Sequence, residues 1–277
     1  MCTDCGCSRA NSLANLNSHD SKKKISNVKS LNFTRVQHNG PQQGEVLAKA
    51  EEIAIGPTTA TAKKMNLEIK VLADNDFHAA ENRRWLKEKN VCAINIMSSP
   101  GSGKTSLVEK TAGLLAEKRY QVAVLVGDQQ TDRDAQRIAR THAVVKQINT
   151  ISSCHLDAKM IHKELIGFVP TNTQFLIIEN VGNLVCPAAF DLGQKLNIAV
   201  LSVTEGEDKP IKYPVLFHNA DCIIISKCDL LPHLEWDKNS CEKFIRQINP
   251  KSPIFFLSSK TSEGMTDWID WLVSNIP

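Results

Sequence analysis

Ten residues constrain this chain more than any others: Met97-Ser98-Ser99-Pro100-Gly101-Ser102-Gly103-Lys104-Thr105-Ser106. They contain Gly-Lys-Thr, the core of a phosphate-binding loop. Residues 91–97 before them read as a buried strand. Residues 106–119 after them, with Leu107, Leu114 and Leu115 at helical spacing, read as a helix. Strand, small-residue loop, helix is the context that gives such a motif its meaning. Successive backbone N–H groups in the loop turn inward and cradle phosphate oxygens. The helix N-terminus adds partial positive charge. Lys104 can reach the β- and γ-phosphates, and Thr105 can offer its hydroxyl to Mg²⁺. The expected nucleotide contacts here are Ser99, Pro100, Gly101, Ser102, Gly103, Lys104, Thr105 and Ser106. The general pattern has Gly six residues before the lysine, and this chain has Ser98. An ordinary Gly/Ser turn is the plain alternative, and the flanking elements speak against it.

Composition narrows the partners. The net charge of +3 sits in the first 30 residues, where Arg9, Lys22, Lys23, Lys24 and Lys29 face only Asp4 and Asp20. The remainder is formally neutral, which argues against a nucleic-acid surface. The 22–24 lysine run reads as a solvated tether. No apolar run approaches the ~18–20 residues of a membrane span. The opening residues do not read as a signal peptide, so a cytoplasmic protein is expected. Nine cysteines there point to metal or redox chemistry rather than a disulfide framework.

Three of those cysteines, Cys2, Cys5 and Cys7, fall within six positions. Soft thiolates suit Zn, Cu(I) or Ni in a sulfur-rich site. Three thiolates leave one position of a four-coordinate site open, and the nearby α-amine could fill it. Residues 8–55, rich in Ser, Asn, Lys and Gln, read as a flexible linker. The expected organisation is therefore a 1–7 metal motif, an 8–55 linker and a 56–277 domain. Its first part, residues 60–89, has Leu67, Val71, Leu72, Phe77, Ala80 and Trp85 alternating with charge. It reads as accessory helices packed on the domain.

The remaining segments alternate strands with helices. Residues 121–126 form a strand that leads into Gly127-Asp128-Gln129-Gln130-Thr131-Asp132-Arg133-Asp134. Loops at the carboxyl ends of strands build the site in open α/β sheets. Asp128, and after it Asp134, can hold Mg²⁺ or orient water; a turn aspartate and a helix N-cap are the plain alternatives. Residues 143–148 form a third short strand. Residues 174–182 form an apolar strand ending in Glu179, the place for a second Mg²⁺-supporting acid. Gly182 beyond it would let the backbone approach the γ-phosphate. Cys154, His155 and Cys186 each sit just past an expected strand end. Two thiolates and one imidazole leave room for a fourth ligand and suit Zn or Ni; spacing alone also admits inert buried cysteines. Strands over 197–204 and 221–226 follow, and the second runs into Ser226-Lys227-Cys228-Asp229. Lys-x-Asp at a strand end is a guanine signal: the carboxylate accepts from guanine N1–H and the exocyclic amine, and the lysine stem lies over the purine. The usual first residue is Asn, here Ser226. Residues 253–257 form a last strand, and Ser258, Ser259 and Lys260 after it match the loop that supports the guanine carbonyl. A helix over 262–276 closes the chain. His78, His142, His162, His218 and His233 are isolated in sequence and receive no role.

Read together, Cys-x-x-Cys-Gly-Cys, Ser-Ser-Pro-Gly-Ser-Gly-Lys-Thr, Gly-Asp-Gln-Gln-Thr, Cys-His-Leu-Asp-Ala and Glu-Asn-Val-Gly-Asn-Leu-Val-Cys-Pro resemble the HypB-type hydrogenase maturation factors. These are GTPases of the SIMIBI class that help insert nickel into [NiFe] hydrogenase. The resemblance covers all the motifs and excludes the linker. It implies a P-loop NTPase fold, a three-layer α/β/α sandwich on a mostly parallel sheet, preceded by a flexible Cys-bearing tail. It implies GTP/GDP and Mg²⁺ as ligands. It implies a high-affinity nickel site at Cys2, Cys5 and Cys7, and a weaker nickel or zinc site at Cys154, His155 and Cys186. Hydrolysis would then rest on Lys104, Thr105, Asp128, Asp134 and Glu179. GTP-dependent homodimers, a HypA-type zinc/nickel partner and, indirectly, the [NiFe] hydrogenase large subunit are the implied partners. Ser98 matches that family's own loop, whereas Ser226 departs from its usual Asn. The competing readings are a urease-type nickel GTPase, a nickel store with a vestigial nucleotide site, and a general P-loop kinase. The terminal cysteine cluster, the low histidine content and Asp229 argue against each in turn.

Overall fold

The computed structural model describes residues 59–128, 133–150 and 153–277, with the backbone alone for 59–69, 128 and 133. Cys2, Cys5, Cys7 and the 8–55 linker lie outside the described residues. The elements run α1 (Thr59–Glu88), β1 (Cys92–Ser98), α2 (Lys104–Glu117), β2 (Val122–Asp128), α3 (Arg133–Ala139), β3 (Val144–Asn149), α4 (Ala158–Gly167), β4 (Phe175–Glu179), α5 (Cys186–Ala189), β5 (Leu196–Ser202), α6 (Lys209–Lys212), α7 (Pro214–Asn219), β6 (Cys222–Ser226), a 3₁₀ turn (Cys228–His233), α8 (Lys238–Ile248), β7 (Ile254–Phe256) and α9 (Met265–Ser274).

The seven strands form one sheet in the order β3-β2-β4-β1-β5-β6-β7. Every pairing is parallel. A parallel strand covered on both faces must be apolar throughout, and β1, β4 and β6 are buried along their whole length. Alternate residues serve alternate layers. Cys92, Ile94 and Ile96 pack with Leu107, Leu115, Trp268 and Leu272 of α2 and α9. Ala93, on the other face, packs with Leu86 of α1 and with Ile161 and Leu165 of α4. Further along that face, Met97 and Leu201 meet Phe217 of α7 and Ile245 of α8. The result is the three-layer P-loop sandwich that the motif order implied.

The N-terminal segment differs from its expected form. It is one helix of 30 residues. Its buried face is Asn75, Ala79, Asn82 and Leu86, while Val71, Leu72 and Phe77 are exposed. A buried asparagine needs partners for every polar atom, and both asparagines have them. Asn75 donates to Asp191 O (2.8 Å) and accepts from Ala158 N (2.9 Å). Asn82 Nδ2 donates to Ala158 O (2.8 Å) and Leu192 O (2.9 Å). Thus α1 is held by polar contacts to the start of α4 and to the 191–193 turn. Apolar periodicity misreads such a face, because the contacts are made by amides.

The turn comes very close. Gly193 has φ +84°, and a Cβ there would lie 2.5 Å from Ala79 O and 2.6 Å from Asn82 Cβ. Left-handed strain and overpacking each cost about 1–3 kcal/mol. Gly193→Ala should therefore lower stability by about 2–5 kcal/mol in urea unfolding; a loss below about 0.5 kcal/mol would contradict so close an approach.

Candidate functional site

The phosphate loop joins the centre of the sheet to α2. β1 ends at Ser98, and α2 begins at Lys104, two residues before its expected start. Lys104 and Thr105 therefore occupy the first helical turn, where backbone N–H groups lack intrahelical partners. Gly101 and Gly103 take φ +76° and +94°, values that only glycine adopts without strain. Ser98 is fully buried at the strand end. Its hydroxyl accepts from Ser102 Oγ (2.5 Å) and from Lys104 Nζ (3.0 Å), and donates to Ser99 O (2.8 Å). A hydroxyl with one donor and two acceptor positions is thereby fully used. A glycine at position 98 would leave Ser102 and Lys104 without this anchor, so the serine has a structural task of its own.

Two groups converge beneath the loop. Thr105 Oγ1 donates to Glu179 Oε1 at 2.7 Å. Glu179 ends β4, which lies directly beside β1, with Ile96 opposite it. A hydroxyl and a carboxylate in contact, both oxygen donors, form a set suited to Mg²⁺. The backbone of Asp128 ends β2, the other neighbour of β4; its side chain lies outside the described residues. Asp134 lies within the first turn of α3, inside the helix rather than at its cap. Among the described residues it makes no hydrogen bond to Thr105 or Glu179. The loop and its neighbours thus bring Lys104, Thr105 and Glu179 together, while α3, which carries Asp134, meets α2 through Arg137, whose guanidinium donates to Glu109 (2.6 Å) and Ser106 Oγ (3.4 Å).

The residues expected to meet the base follow β6 and β7. Asp229 lies in the first turn of the 3₁₀ segment after β6, and its Oδ1 accepts from Ser258 Oγ at 2.6 Å. Ser258 is fully buried and in turn accepts from Lys260 N and Thr261 N, both at 3.2 Å. One serine therefore orients the carboxylate and shapes the Ser259–Lys260 loop. Lys227, at φ +61°, reaches across the phosphate loop and donates from Nζ to Gly101 O at 2.6 Å. Its stem passes close to Gly103. Ser226 donates from Oγ to Ser102 O at 2.7 Å. The short hydroxyl thus ties β6 directly to the phosphate loop.

Glu205 is a site residue that the sequence motifs do not single out. It accepts from the Ser99 hydroxyl and from Ser202 N (3.2 Å), and pairs with Lys209 at 3.6 Å. It stands just past the end of β5, so the rule that strand ends build the site would have found it.

Cys154, His155 and Cys186 come together. Their ligand atoms all lie within 4.8 Å of one another, although they stand on separate loops after β3 and β4. The surroundings hold each in place. The His155 ring stacks on Phe190 with centroids 3.8 Å apart. Ser153 Oγ donates to His155 O (2.9 Å). Asn183 Oδ1 accepts from Val185 N (2.8 Å) and Cys186 N (3.4 Å). Burial first, and then the neighbouring Cys154 thiol, pushes Cys186 up to about 11. Burial holds His155 below its ordinary value, against the opposing pull of Asp157. Cys186 is therefore a neutral thiol and His155 a neutral imidazole without a cation, and a metal ion must displace the Cys186 proton to be bound by its sulfur. The donors fit a borderline ion with one position open.

The nucleotide and thiolate elements meet at the end of β4. Asn180, next to Glu179 and buried, accepts on Oδ1 from Leu156 N (3.1 Å) and Val181 N (2.9 Å). Leu156 adjoins His155. Asn180 Nδ2 donates to Asn95 Oδ1 of β1 at 3.1 Å. Two residues on, a Cβ at Gly182 would lie 3.1 Å from Pro100 Cα. The backbone after β4 thus rests on the phosphate loop before it reaches Cys186.

Comparison with known proteins agrees with this geometry. A family model described as CobW/HypB/UreG, nucleotide-binding domain, matches residues 92–256. The hydrogenase maturation factor HypB of Azotobacter vinelandii is 47% identical over 219 residues, covering 79% of this chain and 72% of its own length. HypB of Escherichia coli K12 is 39% identical over 288 residues, covering 98% of both. The crystal structure of HypB from Helicobacter pylori in complex with nickel is 38% identical, with TM-score 0.67, covering 73% of this chain and 94% of that one. The chain belongs to the HypB hydrogenase maturation factors, P-loop proteins of the SIMIBI class.

Proposed function

We propose that this HypB chain is a GTPase that binds nickel and couples GTP hydrolysis to nickel delivery during [NiFe] hydrogenase maturation. The observation that carries this reading is the end of β4. The short run from Glu179 to Gly182 holds the Thr105-bound acid, the Asn180 contact to the Cys154–His155 loop and the Gly182 contact to Pro100. Cys186 follows soon after.

The residues divide the work as follows. The 99–106 loop amides and Lys104 bind the phosphates and stabilise charge as the γ-phosphate leaves. Thr105 and Glu179 would hold Mg²⁺, which would supply charge neutralisation for the phosphates. Asp128, at the end of β2, and Asp134, in the first turn of α3, orient water. Asp229, held by Ser258, accepts from guanine, with Lys227 across the base and Ser259 and Lys260 at its carbonyl. Nickel, the cargo, binds Cys154, His155 and Cys186, a set that zinc would also fit. When the γ-phosphate departs, movement at Pro100 reaches Gly182, and through it Cys186. Coupling of this kind is reciprocal for binding. The reading extends to a Cys2, Cys5 and Cys7 nickel motif on a linker ending near residue 55. It further includes a GTP-dependent homodimer, a HypA-type partner, the hydrogenase large subunit as final recipient, and a cytoplasmic setting.

Three measurements test it. Lys104→Ala should lower GTP turnover about 10²–10³-fold, the usual loss for one preorganised charge-stabilising donor; near-parental turnover would point to a vestigial site. Asp229→Ala should weaken GDP binding about 10–100-fold, because hydrogen bonds to a charged group are worth about 1.5–3 kcal/mol. ATP binding should change little, so an equal effect on both nucleotides would remove Asp229 from base recognition. GTP hydrolysis should respond to nickel or zinc in the parent and not in Cys186→Ala. Gly182→Ala should retain both ligands but respond less. Identical metal responses in parent and Cys186→Ala would end the coupled reading.

A further inference from the structure

His78 and His162 are remote in sequence, yet α1 and α4 bring their rings to a centroid separation of 5.6 Å with planes 41° apart. Asn82 settles which nitrogen of His162 is available. Its Nδ2 is committed to two carbonyls, Ala158 O and Leu192 O. The amide oxygen is therefore the atom 2.9 Å from His162 Nδ1. An acceptor there requires a donor, so neutral His162 carries its proton on Nδ1 and presents a bare Nε2. Fixing one imidazole nitrogen by an outer hydrogen bond is how proteins prepare the other to bind metal. His78 contributes the second observation. Its Nδ1 is buried and has no hydrogen-bond partner among the described residues, a costly state for a polar atom.

The geometry suits one shared ion. With metal–nitrogen bonds of about 2.0–2.1 Å, two imidazoles on a single tetrahedral or trigonal ion place their ring centroids about 5.2–5.5 Å apart. The observed separation is within a few tenths of an ångström of that, and helices hold such positions well. Both rings are half-buried, so water can complete the coordination.

We propose that His78 and His162 form a nitrogen-donor site for a borderline divalent cation such as Ni²⁺, Zn²⁺ or Cu²⁺, additional to the cysteine sets. Two neutral imidazoles bind such ions without displacing a thiol proton, and they favour Ni²⁺, Zn²⁺ and Cu²⁺ over Mg²⁺ or Ca²⁺. α4 begins three residues after His155, so the helix that follows the Cys154–His155 loop also carries His162. The proposal is independent of GTP turnover.

The test uses the full chain with Cys2, Cys5, Cys7, Cys154 and Cys186 replaced by Ser, so that the thiolate sites are gone. Titration with Cu²⁺, followed by electron paramagnetic resonance, should show one saturable equivalent with nitrogen couplings from two imidazoles. His78→Ala and His162→Ala should each weaken binding at least tenfold and remove one coupling. Should His162→Ala fail to fold, His78→Gln serves in its place: Ni²⁺ should raise the melting temperature of the five-serine protein and not that of His78→Gln. No saturable equivalent, or equal binding or metal-induced stabilisation with and without His78, overturns the proposal.

Discussion

The hydrogen bond from Thr105 to Glu179 joins the first turn of α2 to the end of β4, and the site is arranged around it. It can form because β4 lies beside β1 in the sheet. The chain runs from β1 outward through β2 and β3, and returns to place β4 between β2 and β1. That return puts an acid below the phosphate loop and sends the following backbone over it. The right-handed crossover rule for parallel strands leaves few other ways to bring the two ends together.

Polar groups inside the protein do more here than fill space. Buried Asn180 and Asn95 and half-buried Asn197 form a chain of amides from the end of β4 across β1 to β5, and Asn180 extends it to the loop bearing His155. Asn75 and Asn82 dock α1 in the same manner. Each amide is costly to bury unless its donors and acceptors are matched. Matching specifies one register, which an apolar contact of the same area would leave looser. The phosphate loop has its own version in Ser98, whose hydroxyl serves Ser102, Lys104 and Ser99 at once. Ser226 and Glu205 tie the same loop to β6 and β5.

Much of this architecture is legible in the amino-acid sequence. The small-residue loop between an apolar run and a helix, the carboxylate closing a strand at Glu179, and Lys227–Asp229 with Ser258 each carry their meaning locally. Their chemistry is set by residues a few positions apart. The strands lie within a few residues of their expected places, because parallel strands buried on both faces are continuous apolar runs. The N-terminal helix is legible as helical, yet its buried face is not. Val71, Leu72 and Phe77 stand exposed while asparagines face the core. Periodicity counts apolar residues, and here amide hydrogen bonds from Asn75 and Asn82 share the buried face with Ala79 and Leu86.

The sequence by itself determined a parallel α/β fold with a phosphate loop, an acid at a strand end and a Lys-x-Asp run after another strand. These features depend on local backbone geometry and on side-chain chemistry over short spans. The family resemblance implied Cys154, His155 and Cys186 as one ligand set; only the tertiary structure brought their ligand atoms within 4.8 Å of one another, rested Gly182 on Pro100 and stood His78 beside His162. Each of these depends on which strand lies beside which, and on how one helix is laid upon another. Those relations join residues far apart in the chain, and no local pattern records them.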